Sequence, residues 1–166
     1  MEPRTAIFRM RVGDVMAMQP PSAPPDAPLS YVVQAMADSG ASGLVVADPM
    51  GRPLGILTEH DIARRVLFKT DAASPVAQVM TRPLQTISDG EYLYRAIAIM
   101  RRTGLRHMPV VDAGGLLCGM LNLNDALGAA SVTLMAQIDG LTQGDDVAGL
   151  RRIKQAQTDL ADQLLR

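Results

Sequence analysis

Two pairs of polar residues stand out for what they could bind. Thr58 and Asp61 close the phrase "GILTEHD", Gly55 to Asp61, and Asn122 and Asp125 close "GMLNLND", Gly119 to Asp125. In each phrase a short apolar run ends and a helix is expected to begin. A carboxylate at a strand–helix junction can accept both hydroxyls of a ribose. The adjoining helix N-terminus favours an anionic group such as a phosphate, and the Thr58 hydroxyl can add a hydrogen bond. The same letters have a purely structural use, since T-x-x-D is also the outline of a capping box, in which hydroxyl and carboxylate satisfy free backbone N–H groups. Capping and binding are compatible, because a cap holds the groups rigid.

The phrase recurs because a larger unit recurs. Shifting the chain by 64 residues aligns Val12 with Val76, Val15 with Val79, Met16 with Met80 and Leu29 with Leu93. Met36, Gly40, Val46, Asp48 and Gly51 then meet Met100, Gly104, Val110, Asp112 and Gly115. Gly55, Leu57 and Asp61 meet Gly119, Leu121 and Asp125, giving twelve identities without a gap. Such internal repetition sets the architecture. In the first copy Leu29, Val32, Val33 and Met36 form the stripe of an amphipathic helix, and Leu93, Ala96, Ile97 and Met100 form it in the second. Gly40 and Gly104 follow as left-handed helix stops. Apolar runs at Leu44 to Ala47 and Met108 to Val111 read as strands covered on both faces. The turns "DPMGR" and "DAGG" lead into partner strands at Leu54 to Leu57 and Leu116 to Leu121. Leu84 to Ile87 supplies a first strand for the second copy. In the first copy that place reads "MQPPSAPPDAP", and because proline cannot donate to a ladder an irregular edge strand is expected there.

The expected fold class is α/β (α+β): two β-α-β-β-α repeats with a right-handed crossover between parallel first and second strands. One copy would leave an apolar sheet face bare. Two copies packed sheet to sheet, with pseudo-twofold symmetry, would cover it. The expected division is an N-terminal extension over 1–11, the first repeat over 12–70, the second over 71–130 and a helical tail over 131–166. In that tail Gly140 and Gly144 are expected to break the last helix of the module. A further helix after Asp145-Asp146 would carry Leu150, Ile153, Leu160 and Leu164 along one side. It would pack on its own module, on a second subunit or lead to a further domain.

Composition narrows the function. Sixteen Lys and Arg against seventeen Asp and Glu give a net charge of −1, and aromatic residues number three Tyr and two Phe. That offers neither a basic stripe for phosphates nor rings for base stacking, so nucleic acid is not the expected partner. No apolar run approaches the roughly 20 residues that span a bilayer. The single Cys118 excludes an internal disulfide and fits a reducing, cytoplasmic setting. Among Leu117, Gly119 and Met120 it reads as a small buried thiol. His60 reads as a solvated first-turn residue. No metal-ligand spacing and no nucleophile–base pair is legible, so neither a metal site nor an enzyme is expected. Arg101-Arg102 complements the C-terminal dipole of the second copy's helix.

The doubled unit resembles a pair of cystathionine-β-synthase (CBS) domains, the tandem called a Bateman module. The resemblance rests on "GILTEHD", on "RHMPVVD" from Arg106 to Asp112, on the openings "VGDVM" and "VAQVMTRP", and on the repeat spacing from about Val12 to Ala130. It implies a regulatory module that binds an adenosine-containing ligand (AMP, ADP, ATP, S-adenosylmethionine or NAD) between its copies, signals to an attached or partner domain, and pairs as a homodimer. By the same resemblance Thr58 and Asp61 would hold ribose, with Asp125 the second such carboxylate and Asn122 in place of the usual Ser or Thr. Met108-Pro109 and Leu44-Val45 would line base pockets, Arg106 and His107 would meet phosphate, and Gln85, Thr86 and Ile87 would contact the base. For His107 a strand-end surface role stands beside the phosphate role. Asn122 implies two unequal sites. The alternatives are a scaffold whose sites no longer bind, or the sensing portion of a nucleotidyltransferase, which the tail's "LRRIKQA" resembles.

Overall fold

The computed structural model describes residues 6–67, 69–142, 155 and 157. Its elements follow the order α1 (Ala6–Arg9), β1 (Ala17–Met18), β2 (Ser22–Ala23), α2 (Leu29–Ser39), β3 (Gly43–Ala47), β4 (Pro53–Thr58) and α3 (Glu59–Asp61). Then come β5 (Ile87–Ser88), α4 (Leu93–Thr103), β6 (His107–Val111), β7 (Leu117–Asn122) and α5 (Leu123–Thr142). Short 3-10 turns at Val12–Asp14 and Val76–Gln78 stand near the start of each repeat, anchored by fully buried Val12 and Val76. The architecture is mixed α and β with two sheets, as the repeat requires.

Two compact units divide the chain, and the division runs through β6 and β7. One contains Ala17–Asp89 with Met108–Met120 and is mostly sheet. There β2, β3 and β4 form a three-stranded sheet, β2 parallel to β3 and β3 antiparallel to β4. The second sheet has the order β1-β7-β6-β5, with β5 parallel to β6. Each parallel pair brackets a helix, the expected crossover.

The proline-rich stretch behaves as its chemistry dictates. Strand β2 is two residues long at a sheet edge, between Pro20-Pro21 and Pro24-Pro25. The prolines join the fold as acceptors: Pro21 O takes the Val45 N–H at 3.0 Å and Pro25 O the Ala77 N–H at 3.0 Å. The second copy's first strand is shorter and later than Leu84 to Ile87; only Ile87–Ser88 pair.

An exchange of strand ends ties the copies. Ala17 of the first copy pairs antiparallel with Met120 of the second, and Thr81 of the second pairs with Ile56 of the first. These positions are 64 residues apart on both sides, so the exchange is pseudo-symmetric. Val45, Ile56 and Met120 pack in one buried cluster with half-buried Leu84 and Leu117. The inner surfaces of the two sheets therefore meet, as expected. The other core of this unit gathers Leu29, Val32, Met36, Leu44, Val46 and Leu57 under α2. Each such side chain contributes about 1.5–3 kcal/mol by leaving water. Val33 lies outside the stripe and is 38% exposed.

Two of the twelve identities have a turn-making explanation. Asp48 Oδ1 accepts the backbone N–H groups of Met50 at 2.8 Å and Arg52 at 2.9 Å. Asp112 Oδ1 does the same for Gly114 and Leu116 at 2.8 and 3.0 Å. Gly51 and Gly115 occupy the left-handed region at φ 82° and 78°, where a Cβ is strained.

The other unit holds α1, α4 and α5, each in contact with the other two. Leu93, Ala96, Ile97 and Met100 of α4 are buried. The N-terminal extension docks here through buried Ile7, with Phe8 edge-on to Tyr94 and Tyr92 stacked on Tyr94. Arg11 sits 3.7 Å over the Tyr92 ring and donates to Gly90 O, a cation–π contact. α5 runs through Gly140 to Thr142, so that glycine does not break it; one glycine costs a helix only about 1 kcal/mol. Leu150, Ile153, Leu160 and Leu164, which carry the apolar side expected of the tail, and Gly144 lie outside the described residues.

Candidate functional site

The two copies of the repeated phrase fold alike and are wired differently. At the end of β4, Thr58 is the N-cap of α3 and a full capping box forms. Thr58 Oγ1 accepts the Asp61 N–H at 3.2 Å, and Asp61 Oδ2 accepts the Thr58 N–H at 3.0 Å. Asp61 Oδ2 also takes the Thr58 hydroxyl proton at 2.8 Å. The helix continues as a wide π turn over Ile62–Val66, which carries Arg65 back over the carboxylate. Arg65 Nη2 donates to Asp61 Oδ1 and to Thr81 Oγ1, and Thr81 Oγ1 donates to Asp61 Oδ1 at 3.4 Å.

Burial by itself raises the Asp61 carboxyl. The hydrogen bonds from Thr58 and the Arg65 guanidinium outweigh it and hold the group below its ordinary value of 3.8. Its side chain is 15% exposed, that of Arg65 45%.

A glycine just before the end of a strand, as Gly55 is in β4, can let a ligand approach the backbone. The protein itself fills that space: a Cβ there would lie 2.5 Å from Met80 Sδ and 3.1 Å from Thr81 O. The glycine is required by the exchanged strand end.

At the end of β7 the arrangement is looser. Asn122 Oδ1 accepts the Asn124 N–H at 2.8 Å and its amide nitrogen lies 3.4 Å from His107 Nε2. The amide oxygen thus caps two residues on, and no reciprocal box forms. Asp125, in the first turn of the twenty-residue α5, is exposed; among the described residues no hydrogen bond or ion pair reaches its carboxylate. Leu123 N–H donates to Arg106 O at 2.9 Å, which fixes Arg106 beside this helix start. The Arg106 side chain is exposed and, among the described residues, meets no hydrogen-bond partner.

The expected site residues therefore separate into groups. Arg106, His107, Asn122 and Asp125 gather at the start of α5. Thr58 and Asp61 stand together, beside Gly43 of β3 across the ladder. Leu44 and Val45 are fully buried, Leu44 in the core under α2 and Val45 between the sheets, and Met108 is likewise fully buried. Pro109 is buried in β6, next to Val110, the partner of Ile87. Gln85 and Thr86 are exposed and precede the strand, while Ile87 is buried. Cys118 is half-buried, with burial first, then Asp89 and Asp112, raising its pKa. His60 is exposed, 3.4 Å from Arg64 Nη1.

Arg65 and Thr81 were not among the expected site residues. Arg65 had a signal, the i,i+4 spacing from Asp61 on a helix. Thr81 had none, since only the strand exchange brings it within reach.

Two parallel strand–helix–strand repeats, each followed by a strand ending in a polar strand–helix junction, define a paired-repeat architecture. The chain belongs to the CBS domain family, whose model matches residues 12–67 and 76–132. It is 30% identical over 101 residues to a 17.7 kDa protein of Acidianus ambivalens, covering 61% of each chain. It is 35% identical over 111 residues to inosine-5'-monophosphate dehydrogenase of Mycobacterium tuberculosis, covering 66% of this chain and 20% of the dehydrogenase. Among solved structures, a CBS domain protein of Pyrobaculum aerophilum complexed with AMP matches with a TM-score of 0.65 and 25% identity, over 74% of this chain and 99% of that one. The chain thus spans less than two thirds of these curated relatives. No helix among the described residues is long and apolar enough to cross a membrane.

Proposed function

We propose that this chain is a regulatory module that binds an adenine nucleotide at the start of α5 and passes the binding event to an attached or partner domain. One observation carries the reading: an exposed Asp125 carboxylate, with no partner among the described residues, stands beside Asn122, His107 and Arg106 at the N-terminus of a twenty-residue helix. The carboxylate can accept both ribose hydroxyls. The helix N-terminus and Arg106 favour a phosphate. AMP in the related Pyrobaculum structure supports the choice of nucleotide. The match to one fifth of a dehydrogenase fits a module that accompanies a larger catalytic body. A nucleotide that prefers one arrangement of the module shifts its equilibrium by that difference in affinity alone. Pairing as a homodimer and a cytoplasmic location complete the proposal.

Calorimetric titration with AMP tests it, with ADP, ATP, NAD and S-adenosylmethionine compared in parallel. Saturable binding lost in Asp125→Ala supports the reading. No binding of any of these at millimolar concentration refutes it and leaves an assembly role.

A further inference from the structure

The first of the two repeated junctions carries the better ribose motif and is already full. A carboxylate offers about four lone-pair positions. At Asp61 they are taken by the Thr58 N–H, the Thr58 hydroxyl, the Arg65 guanidinium and the Thr81 hydroxyl. A ribose could bind only by displacing two of them. The Thr58 pair belongs to the helix cap, so the displaceable pair is Arg65 and Thr81.

The repeat supplies an internal comparison. Sixty-four residues on from Arg65 stands Ala129, and sixty-four residues back from Thr81 stands Ala17. Both positions that hold Asp61 are therefore alanine in the equivalents for Asp125. The strand exchange puts Thr81 and Ala17 at matching ladder positions, opposite Ile56 and Met120. The asymmetry is thus one of side chains on a shared backbone plan.

We infer that Arg65 and Thr81 act as a built-in plug that occupies the Asp61 site, so that the chain takes one adenine nucleotide instead of two. This rests on the proposed nucleotide function and adds which residues decide the stoichiometry. Arg65 is the main determinant, because its planar guanidinium bridges Asp61 and Thr81 at once.

The test is calorimetric stoichiometry with AMP, on the full chain, for wild type and for Arg65→Ala, Arg65→Gln, Thr81→Val, Asp125→Ala and the double variant Asp125→Ala/Arg65→Ala. Arg64→Ala serves as a charge-matched control. Far-UV circular dichroism checks that each variant is folded, and Arg65→Gln keeps the stem packing if alanine does not. The expected stoichiometry is one for wild type and Arg64→Ala, none for Asp125→Ala at submillimolar AMP, and two for either Arg65 variant. The double variant regains one site, which Asp61→Ala then removes. Wild-type binding of one AMP with no second site in the Arg65 variants overturns the plug and leaves the nucleotide reading intact. Binding only in the Arg65 variants supports the plug and overturns the assignment of the working site to Asp125. Two AMP molecules on the wild type, or none on any variant, overturn the plug outright.

Discussion

The two aspartates of the repeated phrase should separate cleanly when each is replaced by alanine and the fold is unfolded without ligand. Asp61→Ala removes the carboxylate half of the α3 capping box, while the residue-61 N–H can still donate to Thr58 Oγ1. It strands the Thr58 N–H in a half-buried place, takes the acceptor from the Thr58 hydroxyl, and releases Arg65 and Thr81. Loss of the hydrogen bond from the Thr58 hydroxyl costs about 1 kcal/mol. A half-buried N–H left without its acceptor adds about another 1 kcal/mol. The partly exposed ion pair adds at most a few tenths, roughly what solvent-screened pairs contribute. The sum is about 2 kcal/mol, which for a domain of this size lowers Tm by about 4–8 °C. Asp125→Ala removes an exposed carboxylate with no described partner, so its effect should stay within about 0.5 kcal/mol. Thermal and urea unfolding of both variants against wild type is the assay. Equal losses in the two variants, or a larger loss in Asp125→Ala, would refute the claim that one aspartate is structural and the other free.

The lowered Asp61 pKa predicts a pH signature. Its ionised form stabilises the fold above the ordinary carboxylate value of 3.8, and that contribution disappears as pH falls through the depressed folded value. The stability gap between wild type and Asp61→Asn should therefore be full at neutral pH and close in strong acid, as urea midpoints over a pH series would show. Gly55→Ala should cost about 1–3 kcal/mol by overpacking Met80 and the Thr81 carbonyl. By contrast Gly128→Ala, inside α5 with open space around it, should stabilise the fold by about 1 kcal/mol; both are read from urea midpoints. Cys118, half-buried and with a raised pKa, should react with iodoacetamide at pH 8 more slowly than a free thiol, because less of it is thiolate. Reaction at the rate of an unhindered thiol would contradict that account.

Much of the architecture was legible because it follows from local chemistry repeated twice. The α4 stripe is buried as its spacing demands, while α2 keeps Leu29, Val32 and Met36 inside but leaves Val33 partly out. The prolines around β2 forced a short edge strand. The pattern from Leu84 to Ile87 suits a strand, but only Ile87 and Ser88 find ladder partners, in Val110 and Val111. Gly140 has the chemistry of a helix stop, yet α5 runs on to Thr142, since a single glycine weakens a helix without ending it.

Sequence alone determined the repeat, the strand–helix–strand crossovers, the turn-making Asp48 and Asp112, and the two polar junctions, since all of these depend on residue types at short range. Tertiary structure alone decided what those junctions can still bind. The exchange of strand ends carries Thr81 to Asp61 from twenty residues away, a π turn swings Arg65 onto the same carboxylate, and alanines at the matching positions leave Asp125 open. Hydrogen-bonding capacity is spent in three dimensions, so two heptapeptides with the same Gly, Leu and Asp finish with one carboxylate saturated and the other exposed.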